Sequence, residues 1–506
     1  MKIKNIFNRY DSEPHPSQTP KYNMPITAEA LKNIFDDCSD FQDREIAVGG
    51  SETGLVTLCY IDGLVNGGEV GDFVVRPLTD KFRLDGHLGA RKCIDSILKG
   101  AVYNMNVSEK DTMDDVVEMI VKGFCVVIFD KENIAIAFET RSPLMRGIAE
   151  PNIEKAVKGG KDTFIEIMRV NTMLVRRRLR TPNLKVLRKR VGRRSDTEIA
   201  IAYVEGIANP KTVDELSRRM DTIDIDGVLA TGNLEEYISD SPNSPFPQVM
   251  YTERPDRFAT NLLEGRVGLI VDGLPLGLLV PGTLSEIMRA PEDRSQHYTV
   301  SSFLRTLRYI SLFVSVLLPA FYVAITTFHQ EMIPIRMLMS LIESKTFVPF
   351  STVVEVVAML IAFELLQEAG FRLPSPVGET IGIIGGLIVG EAVILAEIVS
   401  AVAVVVVALS AITGYTVPNQ DMSSALRLCR FFLVFCAIAG GLFGIACGAL
   451  LIIYHLCSIN SFGVPYLSPA ADGGPLGFLS FIFRPPARLD KLREEQLKTP
   501  DKRNQI

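Results

Sequence analysis

Four glutamates stand inside or beside long apolar runs: Glu355, Glu364, Glu391 and Glu397. A carboxylate facing lipid is costly, so such an acid either pairs with a donor of its own chain or lines a polar path for ions or protons. Glu355 and Glu364 are nine residues apart, about 180° around a helix, so one stripe cannot hold both. Glu397 reads as interfacial. Glu391 lies deeper, behind a run of glycines, and both roles stay open for it. Catalysis finds no such footing. The chain has no P-loop, GxGxxG, HExxH or GxSxG, and its five histidines (His15, His87, His297, His329, His455) are far apart in sequence. Its eight cysteines form no CxxC and no zinc-like cluster. No enzyme, metal or cofactor is expected, and the scattered thiols suit a reducing compartment.

The acids belong to the second part of a chain whose composition changes near residue 300. Tyr309 to Thr327 is a nineteen-residue apolar run, roughly 28 Å as a helix and close to the hydrocarbon thickness of a bilayer. Pro319 inside it is expected to kink that helix. Arg305 and Arg308 precede it and place the N-terminal half on the cytoplasmic side. Met332–Ile342 is too short to span and reads as interfacial or re-entrant. Val348–Leu366 spans, Ile381–Thr416 splits near Glu397–Ser400 into two helices, and Phe431–Leu456 is the last span. Five spans would leave the tail outside, yet from Arg484 onward it holds seven Lys/Arg against four Asp/Glu, which favours the cytoplasm.

Two glycine ladders recur every four residues: Gly378, Gly382, Gly386 and Gly390, then Gly440, Gly444 and Gly448. Each set falls on one helical face and lets two backbones approach closely. The packing is either within one chain or between copies around a pore. Ile384, Leu387 and Glu391 fall away from the first ladder and are the candidates to line a path, with an apolar constriction gating by dewetting.

The first three hundred residues are dense in charge and carry an internal repeat. Leu55–Asn66 (LVTLCYIDGLVN) resembles Glu198–Asn209 (EIAIAYVEGIAN), and Gly123–Asp130 (GFCVVIFD) resembles Gly265–Asp272 (GRVGLIVD), at offsets of 143 and 142. Each copy opens on an apolar strand that ends in an acidic-Gly turn. In the second, Pro210 starts an amphipathic helix with Val213, Leu216 and Met220 inward, and Asp272-Gly273 makes a hairpin turn. The fold class is therefore multi-domain α+β: duplicated small α/β subdomains in a soluble N-terminal half, then an α-helical multi-spanning membrane domain. The expected boundaries are a flexible arm at 1–22 with no cleavable leader, subdomains at 23–150 and 196–300, a basic helical linker at 151–195, a membrane domain at 301–470 and a tail at 471–506. Arg176 to Arg194 carries ten Lys/Arg and no acid. Arg176, Arg177, Arg178, Arg188, Lys189 and Arg190 are either a solvated face or a contact for anionic headgroups or an acidic partner. Nucleic acid is not expected, because no stacking platform accompanies the charge.

Four stretches carry a resemblance: Gly192–Pro210, Ser244–Gly273 (SPFPQVMYTERPDRFATNLLEGRVGLIVDG), Leu318–Pro334 (LPAFYVAITTFHQEMIP) and His455–Pro469 (HLCSINSFGVPYLSP). They resemble the A subunit of the GerA-type spore germinant receptors, from about Asp162 to Pro469. The chain departs from that pattern at Lys158-Gly159-Gly160-Lys161, where a run like RGP is expected. The resemblance implies a place in the inner spore membrane beside a transporter-like B subunit that binds the nutrient and a lipoprotein C subunit. It also implies a homo-oligomeric ring, a pentamer, around a path that releases monovalent cations to start germination. A paralogous group tied to the dipicolinate channel shares this architecture, and a scaffold that only assembles the other subunits is the further alternative.

Overall fold

A computed structural model of the protein describes residues 22–50, 55–80, 90–102, 106–142, 151, 154, 158–372, 390–471 and 474–504. The chain forms two units. One comprises the residues up to Asp240, Val249–Pro281 and Pro486–Ile506; the other comprises Ser241–Gln248 and Gly282–Pro485.

The first unit contains two five-stranded antiparallel sheets. In the first sheet β1 (Phe41–Ala47), β2 (Leu55–Ile61), β3 (Val107–Lys110), β4 (Phe124–Phe129) and β5 (Ile134–Glu139) lie in the order β1-β2-β4-β5-β3. In the second, β6 (Leu184–Val191), β7 (Thr197–Val204), β8 (Met250–Thr252), β9 (Val267–Val271) and β10 (Gly277–Val280) lie in the order β6-β7-β9-β10-β8. Counted from its own first strand, each order is 1-2-4-5-3. Every strand of the second sheet begins 142 or 143 residues after its counterpart. The two short sequence matches thus belong to a duplication of a whole subdomain.

Local chemistry accounts for the helices on these sheets. Before β4 comes α1 (Met113–Val121), where Thr112 accepts from the Asp115 amide and Asp114 and Asp115 sit in the first turn, all favourable at the positive end of a helix. Between the sheets lies α2 (Met168–Arg178). In the second subdomain α3 (Pro210–Thr222) starts with Asn209 as cap and buries Val213, Leu216 and Met220, as its spacing predicts. Finally α4 (Pro255–Glu264) opens on proline and closes on left-handed Gly265. The hairpin at Asp272-Gly273 joins β9 to β10 as expected.

One boundary differs from the sequence reading. The second subdomain begins one strand earlier than residue 196, because β6 is an edge strand that carries charge (Arg188-Lys189-Arg190), as its counterpart β1 does within the expected first subdomain (Asp43-Arg44-Glu45). The linker therefore ends before Leu184 instead of at residue 195. The basic run is helical only to Arg178, and from Leu184 it is sheet.

The C-terminal segment belongs to this first unit. Its residues fold back on themselves, with Arg493 N donating to Lys502 O and Asn504 N to Lys491 O. The resulting hairpin docks on the second subdomain. Fully buried Arg266 holds Glu264 at 2.7 Å and Glu494 of the tail at 3.1 Å, and Leu497 and Thr499 are buried there.

The second unit is helical: α5 (Tyr298–Phe328), α6 (Ile335–Lys345), α7 (Thr352–Arg372), α8 (Ala401–Gly414) and α9 (Gln420–Ser458). Two of them, α5 and α9, are long and apolar enough to cross a membrane. The break expected near Glu397–Ser400 is present, with Glu397 at φ 55° and α8 starting at Ala401. The single last span is corrected. Gly440 (φ −147°, ψ 19°) and Gly441 (φ 58°, ψ −137°) interrupt α9, and a Cβ on Gly448 would stand 2.8 Å from Leu433 Cδ2. Residues fifteen apart touch only if the chain doubles back, so α9 is a helical hairpin. The conformation at Gly441 is one that side chains resist, which is why a Gly-Gly pair makes the elbow. At about 1.5 Å per residue the legs, residues 420–439 and 442–458, reach roughly 30 and 25 Å.

Candidate functional site

The helical unit gives Glu355 and Glu364 separate partners, as their half-turn separation requires. Glu355 is 1 % exposed. One oxygen accepts from the Ser400 amide at 2.9 Å and from its hydroxyl at 2.6 Å, and the other meets Lys345 Nζ at 3.2 Å. Ser400 is the N-cap of α8, so a carboxylate from α7 closes the positive end of a neighbouring helix. Glu364 meets Arg430 Nη2 at 2.8 Å and Arg427 Nη1 at 3.1 Å. Arg430 also donates to Ser410 Oγ at 3.1 Å, and Ser410 donates to the Ser315 carbonyl at 2.7 Å. One polar chain thus ties α7 to the first leg of α9, then to α8 and α5.

Glu391 is different. It lies exposed on a helical stretch at residues 390–395 and makes no hydrogen bond or ion pair with the described residues. The other two path candidates, Ile384 and Leu387, lie outside the described residues, as do Gly378, Gly382 and Gly386. Gly390 has ordinary contact, with Val404 Cγ1 3.9 Å from the site of a Cβ.

The second ladder does not form one face, because the elbow falls on its first member. Gly440 faces open space. Gly444 and Gly448 stand on the returning leg and abut Cys436 and Leu433 of the outgoing one. Their close packing is within the chain. Gly441, which the four-residue spacing passes over, sits against Phe328 and His329, and His329 Nε2 accepts from the Leu442 amide at 3.4 Å. The returning leg ends where His455 Nε2 lies 2.9 Å from Ser244 Oγ.

Above α5, Asp293 holds Arg305 at 3.1 Å and Arg308 at 2.5 Å. Burial pushes the Asp293 carboxyl up, but Arg308 and Arg305 outweigh it and hold the group below its ordinary value.

The six basic candidates are mostly engaged. Arg176 is corrected outright: it is 2 % exposed and makes two 2.7 Å bonds to Asp40, so it cannot reach a headgroup. Burial lowers its affinity for the proton, yet Asp40 reverses the balance and raises it. Arg178 pairs with Asp162 (2.5 Å), Lys189 with Asp221 (2.7 Å), and Arg190 with Asp196 (3.0 Å) and Glu198 (2.9 Å). Arg188 reaches Asp62 at 4.0 Å. Arg177 donates to the Ser142 carbonyl at 2.7 Å.

The family model described as Bacillus/Clostridium GerA spore germination protein matches residues 29–496. The chain belongs to the GerA family. Among its relatives, the Bacillus subtilis "Uncharacterized membrane protein YfkQ" is 37% identical over 450 residues, covering 88% of this chain and 86% of that one. "Spore germination protein KA" of the same organism is 35% identical over 475 residues, 94% of this chain and 86% of its own. "Spore germination protein GerLA" of Bacillus cereus is 35% identical over 478 residues, 94% and 96%. The crystal structure of the N-terminal domain of the A subunit of the Bacillus megaterium germinant receptor GerK3 is 31% identical, with a TM-score of 0.39, covering 50% of this chain and 92% of that one. The GerA match thus takes in residues of both units and ends within the tail, after Glu494 and before Thr499.

Proposed function

We propose that the protein is the A subunit of a nutrient-sensing germinant receptor. It is non-enzymatic and sits in the inner spore membrane with its N-terminal half in the cytoplasm. Copies assemble as a ring, a pentamer, around a path for monovalent cations. A transporter-like B subunit binds the nutrient and opens the path, and a lipoprotein C subunit completes the complex. The observation that carries the reading is the contrast among the acids. Glu355 and Glu364 are satisfied within the chain, whereas Glu391 meets no partner among the described residues. In this reading water, an ion or another copy meets that acid in its apolar stretch. From Arg484 onward the tail holds seven Lys/Arg against four Asp/Glu, which favours the cytoplasmic side for it.

The test is made in spores. Leu387→Asp is expected to wet the path, leaking cations or starting germination without nutrient. Glu391→Gln is expected to slow nutrient-triggered cation release. Normal dormancy and normal release in both variants would reject the path.

A further inference from the structure

The duplication allows the two subdomains to be compared position by position. In the second, the joint between α4 and β9 is covered by the tail. Thr499 packs on Gly265, Arg493 Nε donates to the Leu263 carbonyl at 2.8 Å, and Asp501 N donates to the Gly206 carbonyl at 3.3 Å. The joint between α1 and β4 in the first subdomain has the same construction. Gly123 (φ 88°) follows α1 as Gly265 (φ 103°) follows α4, and the Leu64 carbonyl lies over Gly123 as the Ile207 carbonyl lies over Gly265. Here the joint borders an open cleft of about 520 Å³, lined by Leu64, Val121, Lys122, Arg141, Arg177 and Arg180 among others.

The chemistry of the two joints is opposite. Val121 and Lys122 occupy the places of Leu263 and Glu264. Arg141 pairs with Glu139 at 3.1 Å and stands 4.8 Å over the Phe124 ring. Arg177 and Arg180 meet no carboxylate among the described residues; they donate to the carbonyls of Ser142 (2.7 Å) and Arg177 (3.2 Å) respectively. Lys122 pairs with Glu118. Four cations therefore line the cleft, with no acid among its described lining residues. Guanidinium groups with free donors favour carboxylates, and the volume lies within the roughly 300–1,000 Å³ of ligand clefts.

We propose that this cleft docks an acidic peptide segment of a partner protein, in the way the second joint docks the tail. The repeat is the reason to name a peptide: the same backbone joint already holds one. Arg177 and Arg180, which meet no described carboxylate, are the reason to name an acidic one.

The probe is a fluorescein-labelled peptide copying residues 490–503 with every Lys and Arg replaced by Glu. Its anisotropy is followed against the full chain in nanodiscs of uncharged lipid. The expected result is saturable binding that weakens at least tenfold when the peptide's acids become Gln. Arg177→Gln with Arg180→Gln, or Lys122→Gln with Arg141→Gln if the first pair fails to fold, should cost at least tenfold. Arg218→Gln on α3 should cost nothing. Equal binding of the acidic and Gln peptides, or no loss in either cleft variant, would overturn the proposal. Full displacement by about 1 mM inorganic phosphate would overturn it too, because the site would then take a small anion only.

Discussion

Arg176→Met is the variant that separates a structural arginine from a headgroup contact. The Arg176 and Asp40 side chains are each 2 % exposed and share two 2.7 Å bonds. Removing one partner of such a pair leaves the other charge buried, at a cost of about 3–5 kcal/mol. Arg176→Met and Asp40→Leu should each destabilise the first unit by about that much. Replacing both removes the stranded charge, so the double variant should cost no more than about 2 kcal/mol. At roughly 2–4 °C per kcal/mol for a domain of this order of size, each single change lowers the thermal midpoint on the order of 10 °C. Thermal unfolding of the solubilised chain, with hydrogen exchange over residues 168–178, gives the four corners of the cycle. Additive losses would mean that neither single change strands a buried charge. So would a single loss under about 1 kcal/mol, the scale of a solvated pair. A third refuting result is weaker binding to anionic liposomes by Arg176→Met with stability unchanged.

Gly444→Ala would drive a Cβ into the Cys436 carbonyl oxygen; the α9 hairpin must then splay, and detergent unfolding should show the helical unit weakened by several kcal/mol, while Ala at open Gly440 costs far less. Glu364→Gln strands Arg430 and Arg427 beside each other; with Glu364 partly exposed the loss should be about 2–3 kcal/mol, partly recovered by adding Arg430→Met. The Asp293 carboxyl is held below its ordinary value, so its stabilisation is complete above the unfolded value of about 3.9. It disappears as pH falls through the lower folded value, and Asp293→Asn should flatten that part of a midpoint-versus-pH curve.

Much of the architecture is legible in the chain. The repeat spacing, the helix at Pro210, the Asp272-Gly273 hairpin and the break before Ala401 are local patterns, and the structure has all of them. What escaped was long-range or ambiguous in period. β1 and β6 carry charge on edge positions and so lack the apolar alternation that marks a strand. Glycines four apart read equally well as a continuous face or as two legs of a hairpin. The turn at Gly440-Gly441 shows only as a glycine pair. Arg176 looks like every other member of its basic run, and only Asp40, far earlier in the sequence, distinguishes it. The docking of Glu494 on Arg266 spans 228 residues and leaves no local mark.

The proposed cation path, assembled from copies of this chain and opened through a partner, can be measured by reconstituting the chain with its B-type partner in potassium-loaded liposomes and recording efflux as nutrient is added, alongside the mass of the extracted complex. A ring-sized assembly and nutrient-dependent efflux that Glu391→Gln reduces are expected. A single protomer in detergent, together with liposomes that stay sealed in every partner combination, would contradict it.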